Sequence, residues 1–253
     1  MTNKLLEFYI EKIVKNSIQE ITARKGPRTG GFDFDDITID HVFELVKKYS
    51  DVLRNDPDRD SKQIKEKVSV RSPISNQIYK IPFIFYWDTK NKATGLFMPY
   101  VKGRGKISIN VAHSKEESWV RSIIAHELSH AFDMKFWKDI EDPSKEDYSE
   151  KEYFMQPREK VAFLNSFIQA MKDYAKEIVA NINSGSKIDK ILAKNIIARP
   201  WRLYERLGKE TRFKNTLNHY LENHPDFKRK LNIAAYDIVQ GFLVGAIDTT
   251  SLN

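Results

Sequence analysis

The spacing of apolar residues changes period twice along the 253-residue chain, from helical to extended and back to helical. Helical spacing in residues 5–21 and 39–53 predicts two helices near the N-terminus. β-branched and aromatic residues then cluster between turn signals, which predicts strands at residues 68–70, 81–87, 95–101 and 106–112. From Pro157 the helical period continues to the end, with breaks at residues 183–185 and at Pro200, Gly208 and Pro225. The order predicts an α+β fold, with a small sheet between mostly helical N- and C-terminal parts.

One segment between the strands and the late helices, residues 119–134, is apolar almost all the way round a helical projection. This pattern predicts a buried helix. Ser114 and Glu117 have the spacing of a capping box, which would start the helix just before Trp119. A polar side chain inside such a helix needs a partner, because burying it unpaired costs several kcal/mol.

The predicted buried helix contains His126, Glu127 and His130 in an H-E-x-x-H motif. Residues four apart lie on one helix face, so both imidazoles can reach a single ion at about 2.0–2.1 Å. Glu127 is rotated by about 100° from His126 and would flank the open coordination position, where it can act as a general base. The motif is typical of zinc-dependent peptidases and predicts Zn²⁺ as the cofactor. The alternative is a set of core histidines hydrogen-bonded to the backbone.

A catalytic zinc usually has a third protein ligand, and Glu159 is the candidate that the sequence favours. Pro157 suits the first turn of a new helix, on which Glu159 shares a face with Ala162, Phe163 and other apolar residues. The other histidines lie too close to the motif or far from it along the chain. The alternative role for Glu159 is a helix N-terminal carboxylate that the helix dipole favours.

Residues 126–133 resemble the zinc helix of the gluzincin metallopeptidases. Residues 153–163 resemble the Glu-x-x-Ala element of the anthrax lethal factor-like branch, and also the Tyr-x-x-x-Pro-x-Glu-x-x-Ala element of phage-encoded metallopeptidases. The resemblance covers roughly residues 93–171. It implies a zincin-like core, in which a small mixed sheet with an antiparallel edge strand packs on the H-E-x-x-H helix. The strand near residues 96–100 would be that edge strand and would bind an extended peptide. The patterns of thermolysin and neprilysin are missing, so their specificities do not carry over.

The resemblance also implies two supporting residues. Asp133 lies one turn past His130 and would accept the ring N–H of a ligating histidine; the alternative is a solvated aspartate at the helix end. Tyr153, or else Tyr148, would donate a hydrogen bond to the oxyanion of the tetrahedral intermediate.

The composition narrows the classes of protein that fit. There are no cysteines, which excludes disulfides, thiol catalysis and cysteine-based zinc sites. No apolar run is long enough for a membrane helix, and charged residues interrupt the N-terminus where a signal peptide would need an apolar core. We therefore predict a cytoplasmic protein, or a virion-associated one if it is phage-encoded. The expected divisions are an N-terminal helical region at residues 1–67, the metallopeptidase core at 68–182 and a basic helical region at 183–253.

The formal charge of +7 is concentrated in residues 187–230, which contain twelve Lys or Arg and five Asp or Glu. Aromatic residues are interleaved there, namely Trp201, Tyr204, Phe213, Tyr220 and Phe227. Nucleic acid or another acidic partner would suit this pattern, but a solvated helical surface with core aromatics is favoured because no nucleic-acid-binding motif accompanies it.

Two hypotheses for the function of the protein follow. One is a zinc metalloendopeptidase acting on peptide or protein substrates. The other is a non-catalytic structural or binding protein on the same fold, such as a phage-particle component or a nucleic-acid-associated factor.

Overall fold

The computed structural model describes residues 34, 36–73, 77–90, 94–98, 105–114, 116–132, 156–244 and 246. The predicted helix at residues 5–21 lies outside the described residues. So do Asp133, Tyr148 and Tyr153, whose predicted roles stay predictions.

Helices and strands follow one another in the predicted order. The first half contains α1 (Asp36–Arg54), β1 (Gln63–Arg71), β2 (Ile78–Tyr86), β3 (Gly95–Met98), β4 (Lys106–Asn110), a 3₁₀ turn (Val111–His113) and α2 (Glu117–Phe132). The second half contains α3 (Pro157–Asn183), α4 (Lys187–Ala198), α5 (Arg202–Leu207), α6 (Thr211–Asn223), α7 (Pro225–Ile238) and a π-helical turn (Val239–Val244). The predicted breaks at residues 183–185, Pro200, Gly208 and Pro225 coincide with the ends of these helices.

The four described strands form one mixed sheet in the order β1-β2-β4-β3. β1 and β2 pair antiparallel, β2 and β4 pair parallel, and β3 and β4 pair antiparallel. β3 therefore lies at one edge, with Gly95 opposite Ile109. The prediction of an α+β fold with a small mixed sheet is confirmed. Lys102-Gly-Arg-Gly105 in the sequence predicts a hairpin between these two strands, and Gly105 alone of the four lies within the described residues.

One apolar cluster joins the sheet to α1 and α2. The residues that α1 contributes to this cluster have the i, i+3, i+4, i+7 spacing of an amphipathic helix. The residues that β1 contributes alternate with exposed residues along the strand. The buried residues of α1, the strands and α2 in this cluster include Ile39, Val42, Phe43, Val46, Val68, Val70, Phe83, Phe85, Ile107, Ile109, Ile124 and Leu128. This packing places α2 against the sheet, close to β3.

A second apolar cluster forms around α3 and includes α4 to α7. The aromatic residues of the basic region lie mostly in this cluster, as the helical spacing predicts. The buried ones are Tyr204, Phe213, Tyr220 and Phe227, whereas Trp201 is 43% exposed.

The division of the chain into three regions stays a prediction. Among the described residues, every helix is too short or too polar to cross a membrane.

α2 and α3 pack side by side in opposite directions, and buried and partly buried polar contacts hold them together. Ser129 Oγ donates to the Ala125 carbonyl at 2.6 Å and accepts a hydrogen bond from Asn165 Nδ2 at 2.7 Å. Further along, Arg121 Nε lies 3.0 and 3.1 Å from the two carboxylate oxygens of Asp173. Directional bonds of this kind set the register between the two helices more tightly than apolar contacts would.

The start of α2 differs from the prediction in one respect. The helix begins at Glu117, just before Trp119, as expected. Ser114, however, closes the preceding 3₁₀ turn, and its hydroxyl lies 2.9 Å from Ser50 Oγ on α1. An N-cap at Ser114 would begin the helix at the next residue, and α2 begins two residues later than that, so the predicted capping of α2 by Ser114 is wrong.

Candidate metal centre

Three side chains from two helices converge at one point between α2 and α3. His126 Nε2 and His130 Nε2 each lie 3.4 Å from Glu159 Oε2, and the two nitrogens are 3.2 Å apart. The histidines are one turn apart on α2, and Glu159 lies in the first turn of α3, where Pro157 starts the helix. The residues that sequence reasoning selected as ligands therefore lie together, and this group could bind a metal ion.

The triangle of donor atoms has the dimensions that a small tetrahedral ion requires. Donors 2.0–2.1 Å from a tetrahedral centre are about 3.3–3.4 Å apart. The observed separations of 3.2, 3.4 and 3.4 Å match this spacing. One ion could thus contact all three donors with little movement of the side chains, leaving its fourth position open.

Burial makes this convergence costly unless something binds there. His126 is 5% exposed, Glu159 is 4% exposed and the His130 side chain is 12% exposed. Glu159 Oε2 and His126 Nδ1 are buried without a well-formed hydrogen bond in the described part of the chain. The 3.4 Å contacts to Oε2 are long for hydrogen bonds, and leaving a buried polar atom unsatisfied costs roughly 1–3 kcal/mol. A cation between the three donors would satisfy Oε2.

Charge favours a cation at this position. Burial alone would raise the pKa of Glu159, but attraction by His126 and His130 outweighs it and holds the pKa well below the ordinary value. Burial alone would likewise lower the pKa of His130, but Glu159 and Glu127 raise it above its usual value. The carboxylate is therefore ionised at neutral pH, which is the form that a metal ligand needs.

Aromatic residues of the C-terminal helices pack behind His126. The half-buried Phe163 ring meets the His126 ring at a centroid distance of 4.5 Å, with the planes tilted by 65°. Tyr220 lies behind Phe163 at 5.6 Å and stacks on Phe227 at 4.7 Å. This packing limits rotation of the His126 ring, so the apolar core of the C-terminal helices supports the geometry of the site.

Glu127 lies beneath the edge strand. It is buried, with 6% exposure, and Gly95 of β3 sits directly against it. A Cβ atom at Gly95 would be 2.7 Å from Glu127 Oε1 and 2.6 Å from Ile123 Cγ2. Sequence reasoning placed residue 95 only at the start of a strand. The signal that could have shown more is the glycine itself, since an isolated glycine in a strand often marks a close approach of another group.

The other described histidines do not belong to the metal group. In the part of the chain that the structure describes, His126, His130 and Glu159 are the one group of three or more His, Cys, Asp or Glu residues spaced to hold a metal. His219 and His224 lie 6.2 Å apart by ring centroids, on and just after α6. Neither histidine belongs to the metal group, in agreement with their rejection as ligands.

Comparisons with known proteins add no family assignment. No protein-family model matches the chain, and no curated protein or solved structure matches it.

Proposed function

We propose that the protein is a zinc-dependent metalloendopeptidase of the gluzincin type with a zincin-like core. The observation that carries the proposal is the buried triangle formed by His126 Nε2, His130 Nε2 and Glu159 Oε2, with sides of 3.2–3.4 Å. Two imidazoles and one carboxylate form a donor set found in catalytic zinc peptidases, where a fourth position stays open. Carboxylate-only sites, which favour Mg²⁺ or Ca²⁺, have a different composition.

His126, His130 and Glu159 would hold the metal. Zinc bound there supplies a Lewis acid, which lowers the pKa of water to about 7 and polarises a carbonyl oxygen. The close fit of the donors means that little rearrangement would precede binding.

Glu127 would move the proton. It follows His126 on the same helix, so its carboxylate lies beside the metal group and not within it. In the proposed reaction it accepts a proton from the attacking water and passes it to the nitrogen of the departing amine. The buried position supports this role, because a carboxylate shielded from bulk water keeps its charge directed at the reacting atoms.

β3 would position the substrate. It is an edge strand that pairs with β4 on one side, and it crosses α2 at Glu127. An extended peptide added along its free side would run past the metal group, held by main-chain hydrogen bonds. The resemblance also assigns the oxyanion donor to Tyr153 and the histidine acceptor to Asp133, and both roles are part of the proposal.

Zinc content is the first test. Protein purified without a metal-affinity tag is analysed for metals, and wild type is compared with Glu159→Ala. About one zinc per chain in the wild type, lost or strongly weakened in the variant, is expected. Well-folded wild type that neither carries zinc nor takes it up would refute the proposal.

Cleavage is the second test. Wild type and Glu127→Gln are incubated with fluorescein-labelled casein and with a mixed peptide library read by mass spectrometry. Glu127→Gln should keep its zinc and lose cleavage by at least about 100-fold, the usual contribution of a general base. Full cleavage by this variant would contradict the role of Glu127.

The surface of the C-terminal helices favours a second candidate, a non-catalytic binding protein. Lys187, Lys194, Lys228 and Arg229 are exposed on α4 and α7, and the basic excess of residues 187–230 equals the net charge of the whole chain. An acidic partner such as nucleic acid would suit this surface. Zinc binding without any cleavage, together with salt-dependent binding of a labelled oligonucleotide, would favour this candidate over the peptidase.

A further inference from the structure

Gly95 occupies the closest approach between the edge strand and the metal-bearing helix. Three side-chain atoms surround the position that its Cβ would take: Ile123 Cγ2 at 2.6 Å, Glu127 Oε1 at 2.7 Å and Glu127 Cγ at 2.9 Å. Ile123 and Glu127 are one turn apart on α2, so the backbone of β3 lies in the groove between them. Separations below 3.0 Å are hardly ever found for a real Cβ, so any residue larger than glycine must push something aside.

Backbone conformation is not the reason for glycine here. Among the described glycines, Gly105 and Gly185 have a positive φ, at 69° and 95°, and Gly95 does not. An alanine could therefore adopt the same backbone angles. What glycine provides at this position is space for the Glu127 side chain.

The strand has little freedom to move away. Gly95 pairs with Ile109 of β4, and the Asn110 amide donates to the Thr94 carbonyl at 2.8 Å. Trp119 Nε1 also lies 3.4 Å from Thr94 Oγ1, which ties the start of β3 to α2. Glu127 would move more easily than β3. Its side chain can rotate about its χ angles, whereas the paired strand cannot shift without losing main-chain hydrogen bonds.

We propose that Gly95 is a positioning residue for Glu127: its missing side chain lets the carboxylate lie directly under the edge strand, beside the metal group. The inference rests on the proposed function and goes beyond it by assigning a role to a residue that contacts neither metal nor scissile bond. A methyl group at this position displaces the Glu127 carboxylate. The three atoms nearest to that position belong to Ile123 and Glu127, so we expect His126, His130 and Glu159 to stay in place.

The kinetic test compares wild type, Gly95→Ala and the matched control Gly241→Ala. Gly241 has no atom within 4 Å of its Cβ position, so that substitution adds a methyl group in open space. Each protein is assayed for zinc content and for kcat and KM on a peptide found by the library screen. Gly95→Ala should keep the zinc content of the wild type, change KM by less than about 3-fold and lower kcat by about 100-fold, the scale of a 1 Å misplacement. Gly241→Ala should match the wild type.

A second measurement does not depend on activity. Thermal unfolding of metal-free protein is recorded for Gly95→Ala alone and in a Glu127→Ala background, where two of the three close contacts no longer exist. Gly95→Ala should lower Tm clearly in the first case and by less than half as much in the second. An equal drop in both backgrounds would show that the added methyl group does not meet Glu127, and would overturn the inference.

Ile123 supplies the control for strand displacement. If Ile123→Ala restores the kcat of Gly95→Ala, the added methyl group acts by lifting β3 off Ile123, and the positioning role is overturned. If kcat stays low when Ile123→Ala and Gly95→Ala are combined, the positioning role of Gly95 is supported. The two proposals also fail separately: wild type without zinc overturns the proposed function, whereas zinc binding and cleavage that survive Gly95→Ala unchanged overturn only the role of Gly95.

Discussion

The hydrogen bond between Asn165 and Ser129 offers a sharp test of how the metal centre is held together. Both side chains are almost fully buried between α2 and α3, and Asn165 Nδ2 lies 2.7 Å from Ser129 Oγ. Ser129 directly precedes His130, and Asn165 lies on the same helix as Glu159. The bond therefore joins the two helices that supply the ligands, close to the site itself.

Asn165→Leu keeps the volume of the side chain and removes the bond. The lost hydrogen bond and the partly unsatisfied Ser129 hydroxyl should together cost about 2 kcal/mol. The hydroxyl still donates to the Ala125 carbonyl at 2.6 Å, which keeps the cost from being larger. For a chain of this length, 2 kcal/mol corresponds to a fall in Tm of roughly 4–8 °C. Zinc affinity should fall as well, because the register of α2 against α3 sets the distance from Glu159 to the histidines.

The assay is a double-mutant cycle with Ser129→Ala, measured by urea unfolding in the presence of a chelator. Ser129→Ala alone should cost about 1 kcal/mol, and the double variant should cost clearly less than the sum of the two single changes, since no buried polar group is then left unpaired. Zinc affinity is measured in parallel by competition with a chromophoric chelator. Additivity within about 0.5 kcal/mol, with unchanged zinc affinity, would refute the reasoning.

Three further outcomes are expected. Arg121→Met should lower the free energy of unfolding by about 3 kcal/mol, because it leaves the Asp173 carboxylate, which is only 12% exposed, without its cation. Arg212→Met, which removes an exposed ion pair, should cost less than about 1 kcal/mol. Equal losses in urea unfolding would contradict this account. Burial raises the pKa of Asp173 from 3.8 to about 6, although the positive charge of Arg121 lowers it. Ionisation of Asp173 therefore opposes folding at neutral pH, and the free energy of unfolding rises as the pH falls through 6 towards 3.8. Relative to Asp173→Asn, wild type should thus gain about 2 kcal/mol between pH 7 and pH 4.5, and a pH-independent difference between the two would show that the folded pKa is ordinary. Chelation of zinc should lower the Tm of wild type, and zinc at 100 times its Kd should add about 2.7 kcal/mol to the free energy of unfolding. Glu159→Ala should show a much smaller change in Tm in the same melting experiment. An equal change in Tm would place the metal elsewhere.

Local sequence determined most of the metal group. A helix with apolar residues on all sides must be buried, and residues four apart on it must share a face, so His126 and His130 could be paired before any tertiary contact was known. Glu159 followed from Pro157 and from the apolar face that continues along α3. The late helix breaks and the buried aromatics of the basic region were also readable, because turn residues and helical period act within a few positions of the chain.

The tertiary structure decided what depends on distant parts of the chain. The strand order β1-β2-β4-β3 arises from pairing between segments far apart in sequence, which the period-2 pattern of each strand leaves open. The hydroxyl of Ser114 was assigned to a helix cap on local spacing, whereas in the structure Ser114 closes the preceding 3₁₀ turn and its hydroxyl donates to Ser50 on α1. The space for Glu127 under Gly95 exists only because β3 is paired to β4 and α2 is packed on the sheet. Periodicity reports which face of an element is buried, whereas the packing of two elements against each other determines which atoms meet.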